Sequence, residues 1–377
     1  MQQILDAIEY AKNEHINVYN WKETIHKYTV VSFGLGKFFE DTYKRLFKMC
    51  SVEYVCDNNT EKHGKYFYGK KCISPDDLVK LNNPFVIVVM GSYSPVRDQL
   101  RELNIPCMYI SEMHFIEYQK GKCTAWLDKE KKNISKAIGI LEDEESVNVF
   151  TNIFCNKIYG SLNSFDYENF IIDGDYFETG LFSLTKKEIL IDAGAYDGDT
   201  IDYFIRITNG IFDKIYSYEL NIENYNQLNK NILKYEQKVQ NKIATINAGI
   251  WNKNEKLKCT AYGDLDGYQI ISELNNDCGD ICQLLSLDEA IPEDEKVTII
   301  KMDIEGAEYN ALLGAKRIIK KYTPKLAICV YHKPEDLWQI PILIKELNSN
   351  YKIFIRHHAG NKYKNTFIYT DTVCYAI

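Results

Sequence analysis

The sequence contains no long apolar run. None of its uncharged stretches approaches the length of about 18 residues that a membrane-spanning helix needs. Its first residues, Met1 to Asp6, also lack the basic segment followed by an apolar stretch that marks a secretory signal. We therefore predict a cytoplasmic protein without a membrane span.

An excess of positive charge is also absent. The formal net charge is -8, whereas a nucleic-acid-binding protein generally presents a basic face to the phosphate backbone. The composition thus disfavours nucleic acid as the main partner. With 45% hydrophobic residues in 377 positions, and about 150 residues in an average domain, the chain can form two hydrophobic cores.

The spacing of a cysteine-based metal site is missing as well. Among the eleven cysteines, Cys278 and Cys282 are too far apart for a C-x-x-C motif, and no second pair matches them. Several other cysteines lie inside apolar runs. We predict buried, reduced thiols and assign no metal ligands.

The most informative motif is an apolar strand, Ile189 to Ala193, that leads directly into an acidic turn. Gly194 and Gly198 allow positive φ and close backbone approach, and a helix with apolar spacing follows Thr200. A second apolar strand ends at Glu219, where a doubly wound fold places the acid that binds ribose hydroxyls. The pattern therefore predicts a ligand that contains adenosine.

The charge of this turn indicates which adenosine ligand it binds. Dinucleotide loops use G-x-G-x-x-G around a pyrophosphate, which acidic side chains would repel. Asp192, Asp197 and Asp199 suit S-adenosyl-L-methionine instead, because its sulfonium and ammonium are positive. The alternative is an ordinary acidic strand-to-helix turn. The predicted cofactor-binding residues are Asp192, Gly194, Ala195, Asp197, Gly198, Asp199 and Thr200 for the methionine end, Glu219 for the ribose, and Asn247, Gly249 and Trp251 near the adenine.

Two further strands end in groups that can handle a proton. The apolar run Val297 to Met302 precedes Asp303, Glu305 and Glu308, and a helix is predicted over Tyr309 to Lys321. The strand after Pro324 precedes His332. Ligands of an open α/β sheet bind at such carboxyl ends. His332, Asp303 and Glu305 are the candidate catalytic residues, and His332 is favoured as base because an unperturbed imidazole has a pKa near about 6.5.

The same acidic cluster can also hold a divalent cation, although its spacing does not demand one. His357 and His358 are adjacent on a predicted strand, so their side chains point to opposite faces. We expect these two histidines to contact substrate or to be exposed rather than to form a metal pair.

Four blocks carry a family resemblance over about the last half of the chain: Asp192–Thr200, Lys301–Glu308, Pro324–Lys333 and Tyr351–Tyr375. They resemble the FkbM family of S-adenosylmethionine-dependent methyltransferases. The resemblance implies an α/β class I methyltransferase fold, with a seven-stranded doubly wound sheet whose last strand is antiparallel. It also implies O-methylation, often of sugar or polyketide hydroxyls; on a surface-glycan precursor this would precede export. The alternative is a nucleotide-sugar-binding assembly protein with a non-catalytic methyltransferase-like domain.

The earlier part of the chain repeats the strand, glycine turn, helix and strand pattern. Gly34 and Gly36 follow an apolar strand, and Asp57 ends the next one, which predicts a smaller Rossmann-like domain. The third glycine of a dinucleotide fingerprint is missing, so an NAD-dependent enzyme is the weaker reading. The two alternatives are a pocket for a nucleotide or nucleotide sugar, and a fold used for homodimer formation or substrate positioning.

The predicted organisation has four parts. They are a helical arm (1–28), the Rossmann-like domain (29–116), a helical linker with a flap at 165–177 (117–187), and the FkbM-like methyltransferase domain (188–377).

Overall fold

The computed structural model describes residues 1–12, 20–90, 94–109, 124–159, 171–173, 176–177, 180–261, 268–271, 280–359 and 372–377. These residues divide into two compact units. The first contains residues 1–135 and 148–159, and the second contains 136–147, 171–359 and 372–377. Residues 1–28 belong to the first unit in this division. The predicted linker, 117–187, contributes to both units instead of standing apart.

The first unit contains a six-stranded sheet in the order β3-β4-β2-β1-β5-β6. All its pairs are parallel except β3 with β4. Its core includes Val31, Phe33, Val86 and Val88, which come from the neighbouring strands β1 and β5. The strands are β1 (Thr29–Phe33), β2 (Tyr54–Cys56), β3 (Tyr66–Phe67), β4 (Lys70–Ile73), β5 (Pro84–Val88) and β6 (Cys107–Tyr109).

Helices connect β1 to β2, β4 to β5 and β5 to β6, as the predicted alternation of strand and helix expects. The helices are α1 (Gln2–Lys12), α2 (Trp21–Thr24), α3 (Lys37–Met49), α4 (Pro75–Leu78) and α5 (Ser94–Glu102). Two longer helices, α6 (Thr124–Gly139) and α7 (Glu144–Tyr159), contribute residues to both units.

The second unit is built on an eight-stranded sheet in the order β10-β9-β8-β15-β16-β18-β17-β7. Its last strand, β18, is antiparallel to both neighbours, and its other pairs are parallel. The sheet has one strand more than the predicted seven, because β7 pairs with the edge of β17. The strands are β7 (Ile171–Asp173), β8 (Ile189–Ala193), β9 (Lys214–Tyr218), β10 (Ile243–Ile246), β15 (Ile299–Met302), β16 (Lys325–Cys329), β17 (Ile353–Ala359) and β18 (Thr372–Ala376).

A smaller sheet in the second unit has the order β11-β14-β12-β13. Its strands lie between β10 and β15 in the chain: β11 (Gly249–Ile250), β12 (Glu255–Ala261), β13 (Tyr268–Ile271) and β14 (Asp280–Leu285). No pattern described above predicts this sheet.

The helix predicted over Tyr309 to Lys321 is two helices, which are separated at Gly314 and Ala315. A Cβ atom on Gly314 would lie 2.0 Å from the carbonyl oxygen of Trp251, so this approach requires glycine. The helices of this unit are α8 (Asp199–Ile207), α9 (Ile222–Ile232), α10 (Gln237–Gln240), α11 (Leu287–Ala290), α12 (Glu308–Leu313), α13 (Lys316–Tyr322) and α14 (Asp336–Leu347).

Nine cysteines fall within the described residues; all are free thiols, and eight of them are buried. This agrees with the predicted reduced thiols for those nine; Cys123 and Cys278 lie outside the described residues. No described helix combines the length and apolar character that crossing a membrane requires.

Candidate active site

Four adjacent parallel strands of the second unit deliver the predicted site residues to one edge of the sheet. The order β9-β8-β15-β16 places the turn after β8, Glu219 after β9, Asp303 after β15 and His332 after β16 at the carboxyl ends. In open α/β sheets this edge is where ligands bind.

The turn after β8 depends on two glycines. Gly194 has φ 80°, and a Cβ atom there would lie 1.8 Å from the carbonyl oxygen of Asp303. Gly198, with φ 94°, is the N-cap of α8 without a side-chain cap. Asp199 is exposed and accepts a hydrogen bond from the Thr200 amide at 2.7 Å, whereas Ala195 and Thr200 are buried.

Asp192 lies beneath this turn rather than on its surface. Its side chain is 0% exposed, and Oδ1 lies 3.1 Å from Nζ of Lys301, which is 2% exposed. Lys301 also donates to the carbonyl oxygen of Gly194 at 2.7 Å. The structure therefore places Asp192 in a buried pair that supports the turn, and its contact with the methionine end stays a prediction. In this structure its side chain exposes no surface to a ligand.

Both pKa values in this buried pair are raised. Burial raises the pKa of the Asp192 carboxyl. Burial lowers the pKa of Lys301, but the carboxylates of Asp192 and Asp303 outweigh it and raise that pKa above its usual range. The ammonium stays charged and holds the turn against β15.

Glu219 fastens the same turn to the end of β9. Its carboxylate is buried and accepts the Tyr196 amide at 2.8 Å and the Asn221 amide at 2.7 Å, one on each oxygen. Because a carboxylate oxygen has two lone pairs, each oxygen can accept one more hydrogen bond. Burial raises the pKa of Glu219, and the two amides oppose that shift. Both ribose hydroxyls could donate here.

The residues predicted near the adenine lie after β10. The exposed Asn247 amide donates from Nδ2 to the carbonyl oxygens of Glu219 at 2.8 Å and Leu220 at 3.1 Å, so its Oδ1 points the other way. A Cβ atom on Gly249 would lie 2.8 Å from a terminal methyl of Leu284, so a larger residue here would have to displace that side chain. Trp251 is half-buried at the end of β11, and its amide donates to the carbonyl oxygen of Leu285.

His332 is enclosed by carboxylates. Nδ1 lies 2.9 Å from Oε1 of Glu308, and Nε2 lies 3.3 Å from Oδ1 of Asp303 and 3.6 Å from Oε2 of Glu305. The imidazole is 4% exposed and Glu305 is 41% exposed. The structure thus brings the three predicted catalytic residues together and adds Glu308.

This enclosure changes the acid–base properties of the cluster. Burial lowers the pKa of His332, but Glu308 and Glu305 outweigh it and raise that pKa to about 10. The assumption of an ordinary imidazole pKa, which favoured His332 as base, is therefore wrong. Burial raises the pKa of Glu305. It also acts to raise that of Asp303, but His332, Lys301 and two tyrosine hydroxyls lower it overall.

Two tyrosines hold the Asp303 carboxylate. Tyr176 donates to Oδ2 at 2.9 Å and Tyr331 to Oδ1 at 2.8 Å. Tyr176 belongs to the predicted flap, of which only residues 171–173 and 176–177 are described. Sequence reasoning named neither tyrosine as functional; the density of aromatic and acidic residues in the flap was the available signal.

His357 and His358 are both buried on β17, so the expected exposure is wrong, and contact with substrate stays a prediction. Nδ1 of His357 lies 2.9 Å from Oγ1 of Thr372, and Nε2 of His358 lies 2.7 Å from the Tyr375 hydroxyl. Neighbouring β18 supplies both partners, which sequence spacing could not show.

The predicted nucleotide loop of the first unit is held by its own side chains. Asp57 accepts the Leu35 amide at 2.8 Å and the Asn59 amide at 2.8 Å, and it pairs with Lys62 at 2.9 Å. Both oxygens of this carboxylate therefore already accept hydrogen bonds from within the loop. Gly34 has φ 104°, and its Cβ position would clash with Met90.

Comparison with known families agrees with the site in the second unit. Residues 192–363 match the family described as "Methyltransferase FkbM domain", and the match contains the turn after β8, Glu219, Asp303 and His332. Residues 192–363 form an FkbM methyltransferase domain. The match begins at Asp192, beneath the glycine turn. Residues 26–110 match the family described as "C2185-like, N-terminal".

One solved structure extends the likeness to nearly the full length of the chain. Methyltransferase FkbM from Methylobacillus flagellatus KT covers 99% of both chains, with 22% identity and a TM-score of 0.72. An rRNA methylase from Streptococcus thermophilus covers 51% of this chain and 87% of its own, with 14% identity and a TM-score of 0.31. At 22% identity the match to the Methylobacillus flagellatus structure shows a shared fold. No curated protein matches the chain.

Proposed function

We propose that the chain is an S-adenosylmethionine-dependent O-methyltransferase that acts on a sugar hydroxyl. The observation that carries this proposal is Glu219, whose buried carboxylate fastens the acidic glycine turn through the Tyr196 amide and keeps a lone pair on each oxygen. A doubly wound fold uses such an acid for ribose hydroxyls.

The turn and the loops beside it are suited to the rest of this cofactor. Asp197 is half-buried and Asp199 is exposed at the turn, and these two carboxylates supply negative charge for a sulfonium and an ammonium. Oδ1 of Asn247 is directed away from its two backbone partners and can accept from an adenine amine. This replaces the acid that is missing at that position.

The acceptor belongs beside Glu305. Methyl transfer is an in-line displacement in which the acceptor oxygen forms a bond to the methyl carbon as the sulfonium bond breaks, so alignment is the main requirement. Glu305 is 41% exposed and His332 only 4%, so a hydroxyl reaches Glu305 first. The hydroxyl proton passes to this carboxylate and then to solvent. His332 and Asp303 lie behind Glu305 and orient it.

A sugar acceptor suits the chemistry of this edge, because carboxylates accept hydrogen bonds from vicinal hydroxyls. The two forms of acceptor that we propose are a glycan precursor and a nucleotide-linked sugar. A cytoplasmic enzyme would then act before export. Homodimer formation stays a prediction.

Calorimetry with S-adenosylhomocysteine, NAD and UDP-sugars tests the cofactor assignment. We expect S-adenosylhomocysteine to bind the full chain and NAD not to bind. Glu219→Ala should weaken that binding about tenfold or more, because hydrogen bonds to a charged group contribute about 1.5–3 kcal/mol each. Glu223→Ala, an exposed acid on α9, is the matched control.

Unchanged affinity in a folded Glu219→Ala chain would contradict the site. Binding of a UDP-sugar without any binding of S-adenosylhomocysteine would support the assembly protein instead. Mass spectrometry of glycans from cells lacking the gene identifies the acceptor, since one methyl group should disappear.

A further inference from the structure

The imidazole of His332 has the surroundings of a metal ligand rather than of a hydrogen-bonded side chain. Its Nε2 is buried and makes no hydrogen bond, although carboxylate oxygens lie 3.3 and 3.6 Å away. At 3.3 Å a hydrogen bond fails only when the oxygen lies off the N–H axis, and 3.6 Å is beyond hydrogen-bond distance. When a cation is bound to a ring nitrogen, its other ligands lie to the side of the axis on which the N–H bond would point.

The separations agree with this interpretation. Ligands about 2.0–2.2 Å from one metal lie roughly 3.0 Å apart at octahedral angles and about 3.4 Å apart at tetrahedral angles. Nε2 of His332 lies 3.3 Å from Oδ1 of Asp303 and 3.6 Å from Oε2 of Glu305. Ligand atoms of Asp303, Glu308 and His332 lie within 4.8 Å of one another, whereas Glu305 lies outside this group and joins the ligand set by turning its partly exposed side chain.

We propose that His332 Nε2, Asp303 Oδ1 and Glu305 Oε2 bind one divalent cation at the carboxyl ends of β15 and β16. A mixture of imidazole and carboxylate ligands suits Mn²⁺, Fe²⁺ or Zn²⁺ better than Mg²⁺. The cation displaces the Nε2 proton. Three protein ligands leave positions for water or an acceptor oxygen.

The outer contacts hold these ligands in place. Glu308 faces Nδ1 of His332 at 2.9 Å, and its Oε1 is itself fixed by the Ile304 amide at 2.9 Å. Tyr176 and Tyr331 donate to the two oxygens of Asp303. A carboxylate behind a ligating histidine and donors to a ligating carboxylate are the usual second layer of metal sites. Glu308 is thus a positioning residue.

The nearby lysines already have other partners. Lys301 pairs with Asp192 and donates to the Gly194 carbonyl, and Lys333 donates to the Gly306 carbonyl. Three carboxylates therefore face one imidazole, and a divalent cation balances their charge.

The role of the cation rests on the proposed function. A sugar hydroxyl bound to the metal has a lowered pKa, so it loses its proton to the uncoordinated Oε1 of Glu305 as oxygen attacks the methyl carbon. One C–O bond forms, one C–S bond breaks, and the proton leaves through Glu305.

Metal binding is tested on the full chain after chelator treatment, with Mn²⁺ alone as the probe. Electron paramagnetic resonance of free Mn²⁺ should show one bound ion per chain. His332→Gln and Asp303→Asn should weaken binding a hundredfold or more. Glu308→Gln should weaken it about 10–100-fold, which is the usual effect of a second-layer change. His26→Ala, at a surface histidine, is the control and should bind normally.

Calorimetry with S-adenosylhomocysteine on the same preparations separates this proposal from the proposed function and reports whether each variant is folded. Intact cofactor binding without Mn²⁺ or Zn²⁺ binding overturns the metal site alone. Mn²⁺ binding that survives His332→Gln also overturns it. Mn²⁺ binding without cofactor binding leaves the metal site standing and overturns the methyltransferase proposal.

Discussion

Lys301 Nζ and Asp192 Oδ1 lie 3.1 Å apart, in a pair that is 2% and 0% exposed. The pair joins β15 to the start of the glycine turn, since Lys301 also bonds the Gly194 carbonyl. The predicted catalytic strand end and the predicted cofactor-binding turn are thereby held side by side, and Lys301 lies opposite Asp192 in the strand pairing.

We predict that Lys301→Met destabilises the chain by about 3–5 kcal/mol, because it leaves Asp192 buried without a partner. The double variant Asp192→Asn with Lys301→Met should recover part of this loss, since it removes the unpaired charge. Urea unfolding measures both free energies. Equal stability of the single and double variants would show that the pair is not coupled.

Gly194→Ala should be more damaging than a positive φ alone explains. Any side chain at φ above zero costs about 1–2 kcal/mol, but a Cβ here would also lie 1.8 Å from the Asp303 carbonyl oxygen. Gly180→Ala is the matched control, because Gly180 has φ 71° and nothing within 4 Å of its Cβ position. We expect Gly194→Ala to lose S-adenosylhomocysteine binding and Gly180→Ala to keep it; similar losses in both would refute the steric argument.

Tyr176→Phe and Tyr331→Phe each remove one hydrogen bond from the Asp303 carboxylate. Each bond to a charged group contributes about 1.5–3 kcal/mol, so the methyl-transfer rate should fall roughly tenfold or more while cofactor affinity is kept. Tyr235→Phe removes a similar bond to Asp202 on an exposed surface and serves as the control. Unchanged methyl-transfer rates in both site variants would show that the tyrosine hydrogen bonds do not orient Asp303.

Acid stability should depend on Asp143. Burial acts to raise the pKa of this carboxyl, but Arg356 and Ser146 outweigh it and lower that pKa to about 2. The folded-state pKa lies below the unfolded value of about 3.8, so the contribution is present above pH 3.8 and lost as pH falls toward 2. Asp143→Asn should lower stability at pH 7 and flatten the pH dependence in this window.

The control for Asp143 is Glu144→Gln, an exposed acid in the first turn of α7. Arg356 keeps Glu145 at 3.1 Å in both variants, so the expected loss in Asp143→Asn is about 1–3 kcal/mol. Thermal unfolding from pH 2 to 7 measures it. A control with the same acid dependence as Asp143→Asn would remove Asp143 from the explanation.

Local patterns in the sequence determined the strands, the glycine turn and the carboxyl-end acids. An apolar run followed by glycine and a carboxylate encodes a strand end and a tight turn within a few residues, so Gly194, Glu219 and Asp303 were identifiable without any long-range information. The same short-range logic found His332 at the end of β16.

Only the tertiary structure decided the partners of those groups. Lys301 lies 109 positions after Asp192 in the chain, and Tyr176 lies 127 positions before Asp303. Parallel strand order brings these residues together, and burial then changes their pKa values and exposure. Spacing along a strand reveals a charge, but the neighbours from other strands determine whether that charge meets solvent, a lysine or a ligand. For that reason Asp192 proved to be a buried support, and His332 the centre of an acidic cluster.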